Sequence, residues 1–226
     1  GDFPKLLDSM KVGAIRIRNI VSSLRTFSRM DEAERKVVDI HEGIDSTLMI
    51  LQSRLKQSPK IPQGVQVNKN YAPIPLVECF AGPLNQVFMN LVSNAIDALE
   101  DAVEFHQESQ QSFQPYLTIS TSIEAVHEQG DRDASATPLG QISEQPPSGK
   151  ALCVTITDNA LGIPESIQSR LFDPFFTTKP VGKGTGMGLS ISYQIVTERH
   201  GGTLSCSSTQ GQGTTFTIKI PLNAIS

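Results

Sequence analysis

Two asparagines one helical turn apart, an aspartate closing an apolar strand and four glycines on alternate positions are the residues best suited to hold an anion and its counter-cation. Asn90 and Asn94, in "NQVFMNLVSNAIDAL", stand at i and i+4, so two neutral amide oxygens share one helix face. Mg²⁺ takes oxygen ligands and accepts such amides, although a pair of Asn on a helix is equally a solvated face. Asp158 ends "LCVTITD" and precedes "NALGIP", which sets a carboxylate beside a tight turn. There it can accept the exocyclic amino group of a base, or cap the turn. In "VGKGTGMGLS", Gly182, Gly184, Gly186 and Gly188 free the backbone from Cβ crowding just before an apolar helical pattern, where N–H groups can converge on phosphate. Two familiar phosphate templates do not fit: GxxxxGK[ST] needs Lys and Ser/Thr directly after its last Gly, and GxGxxG needs a Gly where Met187 stands. A plain connecting loop therefore stays open. Lys179 in "FFTTKP" and Lys183 are point charges beside this loop, or solvated surface.

The elements that must position these residues follow from periodicity. "GPLNQVFMNLVSNAIDALEDAV" places Leu84, Val87, Phe88, Leu91, Val92, Ala95, Ile96 and Leu99 on one wide apolar face and predicts the strongest helix. Asp39 is a predicted N-cap for a helix through "IHEGIDSTLMILQSRLK" that stops at "SPKIPQG". Strands are predicted at "VQVNKNY", "IPLVECF", "YLTISTSIEAV" and "KALCVTITD", with two more around "TQGQGT"; helices are predicted at "PESIQSRLF" and "MGLSISYQIVTERHGG". Residues 127–149, rich in Gly, Pro, Ser and acids, read as a flexible hairpin insert. Ahead of all this, Leu6, Met10, Gly13, Ile17, Ile20, Leu24 and Phe27 alternate spacings of four and three in a locally basic segment. That is the a/d seam of a bundle or coiled-coil helix, which a single copy cannot bury. The layout as a whole is α+β, with helices on one face of a mixed sheet.

Composition narrows the class. A hydrophobic content of 38% over 226 residues supports a buried core. No apolar run reaches membrane-spanning length and the first residues lack signal-peptide character, so a cytoplasmic location is expected. Cys79, Cys153 and Cys206 have no metal or disulfide spacing and read as core thiols. A net charge of −4 argues against broad nucleic-acid binding.

The order of the stretches is more specific than any one of them. "NQVFMNLVSNAIDAL", "DNALGIP", "LFDPFFTTK", "GKGTGMGLS" and the closing "HGGTLSCSSTQGQGTTFTIKIP" resemble the asparagine, first glycine, phenylalanine and second glycine boxes of the catalytic ATP-binding domain of sensor histidine kinases. "SMKVGAIRIRNIVSSLRTFSRMDE" is similar to the second helix of that family's dimerisation and phosphotransfer hairpin. The resemblance implies a hairpin part at residues 1–35 and, at 36–226, a catalytic domain with the Bergerat fold, a two-layer α/β sandwich that binds ATP under a lid. It implies that Asn94 ligates Mg²⁺, with Asn90 supporting it or touching phosphate. Asp158 would accept the adenine amino group, with Gly162 beneath the base and Thr214 helping through its hydroxyl. Gly184, Gly186 and Gly188 would present amides to the phosphates, Lys179 would add charge, and Phe175 and Phe176 would anchor the lid. It further implies a homodimer through the N-terminal helix and transfer of the γ-phosphoryl from ATP to a histidine, then to an aspartate of a response-regulator receiver domain. ATPases of the same superfamily carry a Glu one turn before the metal-binding Asn to activate water; Asn90 stands there, and an amide is no general base, which favours phosphoryl transfer over hydrolysis.

Two departures carry expectations. None of His41, His106, His127 and His200 lies in the family's phosphoacceptor pattern, so the chain is expected to be a piece that cannot label itself and contributes no catalytic residue of its own. His200, in "RHGG", reads as a structural histidine favoured by the helix dipole. Ala160 stands where the family's turn has Gly; if that position needs positive φ or close approach to the base, nucleotide binding is weakened and Ala160→Gly should tighten it. These departures leave a regulatory dimerisation module with a degenerate nucleotide site as the alternative. A related protein serine kinase is disfavoured by the bundle-type helix.

Overall fold

The computed structural model describes residues 34–56, 58–126, 149–179 and 186–222. The heptad segment at 1–33, residues 127–148 of the insert, and 180–185 with Gly182, Lys183 and Gly184 lie outside the described residues. The first helix, α1 (Ile40–Ile50), starts where expected: the Asp39 side chain accepts from the His41 N–H at 2.8 Å and caps it. A short α2 (Gln52–Leu55) follows.

The central sheet has the order β2 (Gln66–Tyr71), β4 (Tyr116–Val126), β5 (Gly149–Asp158), β7 (Gly213–Leu222), β6 (Thr203–Thr209). Only β2 and β4 run parallel, and the long helix α3 (Ala81–Glu108) supplies the crossover that parallel neighbours require. The remaining pairs are antiparallel, including β4 with β5 on either side of the insert. One difference from the sequence reading is local. Only Val77–Cys79 of "IPLVECF" is strand, β3, and it pairs antiparallel with β1 (Lys36–Val38) in a separate two-stranded ribbon. Three-residue strands show too little alternation for the pattern to reveal them.

Packing explains why these elements settle as two layers. The α3 stripe from Leu84 to Val103 is buried, and most of it meets Leu117, Ile119, Leu152, Val154, Ile156 and Ile218 on the inner face of the sheet. Each such side chain contributes roughly 1.5–3 kcal/mol on leaving water, so this seam dominates the fold. The stripe's last turns, with Leu99, Ala102 and Val103, instead join Ile61 and Ala160 in a smaller second cluster. Of the predicted helix at "PESIQSRLF" only α4 (Glu165–Gln168) forms, and the predicted helix after the glycine run is α5 (Gly188–Gln194), which widens into a π turn over Ile195–Arg199. It stops at His200 and Gly201, whose φ of +61° suits a left-handed helix terminus.

The described histidines have structural partners. Buried His200 accepts the Phe80 N–H at Nε2 (3.1 Å) and, through Nδ1–H, donates to the Ile195 carbonyl (2.9 Å). That arrangement needs the neutral ring, and burial lowers its pKa, so the dipole of a charged histidine is not what holds it. His41 stacks on Tyr71 with centroids 4.3 Å apart and pairs with the Thr121 hydroxyl at 2.9 Å, and His106 stacks on Phe113.

Candidate functional site

A cavity of about 730 Å³ lies between α3, the end of β5 and the segment leading to the glycine run. Its floor is polar and buried. Asp158, 3% exposed, sits at the end of β5 opposite Thr214 of β7. Burial pushes the Asp158 carboxyl up to about 6, against the opposing pull of the Ala160 and Thr214 backbone N–H groups. A Thr214 lone pair is also kept for a ligand, by a hydroxyl relay. Ser208 Oγ accepts the Ile163 N–H (2.8 Å) and spends its single hydrogen on the Gly213 carbonyl (2.8 Å). Thr214 must therefore donate to Ser208, at 3.0 Å, leaving its own oxygen as an acceptor. Ser208 is a site residue that the sequence did not reveal, because a Ser within an alternating strand carries no special signal.

The turn after Asp158 corrects one expectation. Ala160 does not have positive φ; its N–H donates to Asp158 Oδ1 at 3.0 Å, and its methyl is 3% exposed, packed with Leu99 and Ala102 in the second apolar cluster. The cavity is lined by Leu161, Gly162, Ile163 and Pro164 of this turn and not by Ala160, so no base is crowded. The residue that needs glycine is Gly162. Its φ is +71°, and a Cβ there would lie 2.3 Å from the Thr209 carbonyl of the β6–β7 hairpin. Leu161, Ile163, Ile167, Leu171 and Phe216 complete apolar walls suited to a planar ring.

Another part of the lining is built from ions. Asn94 and Asp97, three residues apart on α3, both face the cavity. Lys179 bonds the Asp97 carboxylate through Oδ2 and lies 3.4 Å from Asn94 Oδ1. Arg54 of α2 holds Asp97 Oδ1 at 2.5 Å, Glu100 at 2.9 Å and the Ser93 hydroxyl at 3.2 Å. Burial would raise the Asp97 carboxyl, but hydrogen bonds from Lys179 and Arg54 hold it below its ordinary value. Asn90 has a different task from Asn94. Its amide nitrogen donates to the Gly188 carbonyl (3.1 Å) and to Ser192 Oγ (3.2 Å), fastening the start of α5 to α3.

Gly186 and Gly188 line the same cavity, and Gly184 lies outside the described residues. At Gly186 the fold demands glycine for a reason the sequence did not show: φ is +66°, and a Cβ would meet the Phe175 backbone carbonyl carbon at 2.5 Å. Phe175 and Gly186 thus pinch together the two ends of the segment between them. Phe175 is no packing anchor, being 74% exposed with φ of +64°. Phe176 does line the cavity, under the Arg170 guanidinium at 4.6 Å.

The site now has a buried acceptor, Asp158, and an amide–carboxylate pair, Asn94 and Asp97, that holds the Lys179 ammonium, with no carboxylate one turn before Asn94. The family described as "Histidine kinase-, DNA gyrase B-, and HSP90-like ATPase" matches residues 81–224, which carry every one of these features except the Arg54 brace. The chain belongs to this ATPase family. Relatives within it are sensor kinases. The sensor kinase CckA of Brucella abortus (strain 2308) is 29% identical over 220 residues, covering 97% of this chain and 20% of that protein. The sensory histidine kinase/phosphatase NtrB of Rhizobium leguminosarum bv. phaseoli is 30% identical over 207 residues, covering 91% of this chain and 46% of that protein. The chain thus spans less than half the length of either relative. Among solved structures, the nucleotide-free catalytic domain of histidine kinase ThkA matches with a TM-score of 0.58 at 22% identity, over 84% of this chain and 98% of that one. Full-length ShkA in complex with AMPPNP matches with a TM-score of 0.58 at 17% identity, over 100% of this chain and 40% of that one. These likenesses establish the α+β catalytic-domain fold.

Membership of the ATPase family implies ATP binding, and the donor set fits. A buried carboxylate and a lone-pair-bearing hydroxyl suit an amino group, the walls suit a base, and the Lys179 ammonium lies 3.4 Å from the Asn94 amide oxygen. Among the described residues no helix is long and apolar enough to cross a membrane.

Proposed function

We propose that the chain is the nucleotide-binding catalytic part of a two-component sensor histidine kinase, which holds Mg²⁺–ATP and presents the γ-phosphoryl to a histidine on a helical hairpin. The phosphoryl then passes to an aspartate of a response-regulator receiver domain. The kinase acts as a homodimer through the N-terminal helix, on the cytoplasmic side. The observation that carries this reading is the lining of one cavity by both buried Asp158 and Asn94.

Asp158 and Thr214 orient the adenine, and Gly162 lets the turn pass beneath it. Asn94 is the metal ligand. Asn90 acts on phosphate binding indirectly, by holding Gly188 and the first turn of α5 against α3, and the amides of Gly184, Gly186 and Gly188 are the phosphate donors in this reading. Lys179 adds positive charge beside Asn94. Bound Mg²⁺ neutralises charge on the β- and γ-phosphates. Asn90 cannot remove a proton from water, so the cleft protects ATP until an acceptor histidine is presented. The relatives' names and the AMPPNP complex of ShkA support the same assignment. Since Ala160 packs away from the cavity, a degenerate nucleotide site loses its main argument.

Calorimetric titration with Mg²⁺–ATP tests the reading. The wild-type chain should bind, and Asp158→Asn and Asn94→Ala should each weaken binding by at least tenfold, as loss of a charge-assisted bond or metal ligand would. Labelled ATP should leave no acid-labile phosphate on this chain alone, but should label an added hairpin that carries the acceptor pattern. Absence of ATP binding, or robust labelling at any of the four histidines, overturns the proposal.

A further inference from the structure

An acid at the phosphate end of a polyanion site is electrostatically out of place. Asp97 lines the cavity one turn beyond Asn94, and Asp101 lies one turn further on the same wall. Unless a cation lies between, their charge repels a triphosphate. Here that cation is internal. Lys179 joins Asp97 Oδ2 and lies 3.4 Å from Asn94 Oδ1, while Arg54 keeps Asp97 Oδ1 at 2.5 Å. The carboxylate oxygens are divided: one belongs to a fixed guanidinium anchored also on Glu100 and Ser93, the other to a lysine on the segment that leads into the glycine run.

Resting on the reading that Asn94 ligates Mg²⁺, we propose that Asp97 is a second residue of the cation site and that Lys179 and the divalent metal are its alternative occupants. An ammonium and Mg²⁺ cannot both sit on the Asn94 oxygen, because neighbouring cations repel and Mg²⁺ demands its own ordered oxygen shell. An amide oxygen and a carboxylate oxygen converging on one cation are the hard donors that Mg²⁺ takes, directly or through water. Metal entry therefore displaces Lys179, and the flexible ammonium is freed to reach the triphosphate that arrives with the metal. Arg54 is a positioning residue, since it orients Asp97 without touching the exchanging cation. Asp97 is never left as a bare charge, and metal binding is coupled to movement of the segment at Lys179.

Mn²⁺ binding, read by loss of the free-ion EPR signal in the absence of nucleotide, tests the exchange directly. Lys179→Met should bind Mn²⁺ about threefold to fivefold more tightly than the wild-type chain, the scale of one screened ion pair. Lys179→Arg should stay near wild type because it retains a competing cation. Adding Asp97→Asn to Lys179→Met should abolish the gain. Equal Mn²⁺ affinity in wild type and Lys179→Met, or a gain that survives Asp97→Asn, overturns the proposal. ATP titration of the same proteins reads the nucleotide assignment separately: a Mn²⁺ gain without ATP binding would sink that assignment and leave the cation exchange standing.

Discussion

The two ends of the cavity are stabilised in opposite ways. At the base end, Asp158, Thr214, Ser208 and Gly162 are fixed by strand register, backbone N–H groups and a hairpin contact too close for a Cβ. At the phosphate end, Asn94, Asp97, Lys179 and Arg54 meet through side-chain tips, two of them on the long Lys179 and Arg54, with Lys179, Asp97 and Arg54 about one-third exposed. The first end is preorganised, so it selects a base with little rearrangement; the second can exchange one cation for another. The lesson is that rigidity and adaptability within one pocket follow from whether backbone or side-chain tips supply the donors.

The contrast can be broken most severely at Gly162. Gly162→Ala introduces a left-handed alanine and a Cβ clash with the Thr209 carbonyl, and should cost about 3–4 kcal/mol, lowering Tm by roughly 10 °C in a thermal melt. Asp158→Asn should act next most strongly, and in the opposite direction on stability. The folded chain raises the Asp158 pKa from 3.8 to about 6, so ionisation opposes folding at neutral pH. The penalty is absent below the unfolded value, grows as pH rises and is complete above the folded value. The ligand-free variant should thus be more stable than wild type by about 2–3 kcal/mol at pH 7.5, with the gap closing by about pH 4, as denaturant titration at several pH values would reveal. Ala160→Gly should cost about 1–2 kcal/mol through loss of a buried methyl and added chain entropy, and should leave ATP affinity unchanged in calorimetry. The phosphate end should respond least. Arg54→Met should cost under about 1 kcal/mol at low salt, and less in high salt, because the pair is solvent-screened; a loss above about 3 kcal/mol would place this end with the rigid one.

Much of the fold was legible because its signals are periodic and local. The α3 stripe, the Asp39 cap, the long strands β4, β5 and β7, and the glycine-terminated helix after the glycine run all stand where sequence spacing put them. What escaped was short or depended on partners far along the chain. The β1–β3 ribbon joins residues about forty positions apart and has three pairs. Phe175 was expected to anchor by packing, but it has a left-handed backbone and is exposed to solvent. Ala160 looked like a flaw because a turn glycine was expected there, whereas Leu99 and Ala102 provide a place for its methyl.

By itself the sequence determined the layers, the order of the strands and helices along the chain, and the candidates Asn94, Asp158 and the glycine loop, because periodicity and residue chemistry are carried by neighbours in the chain. Tertiary structure alone decided which partner each candidate has. It assigned Asn90 to the Gly188 carbonyl, Gly162 to Thr209, Gly186 to Phe175, and Lys179 to Asp97 beside Asn94. Hydrogen bonds, Cβ clashes and ion pairs act over a few ångströms, and only folding brings residues dozens of positions apart within that range.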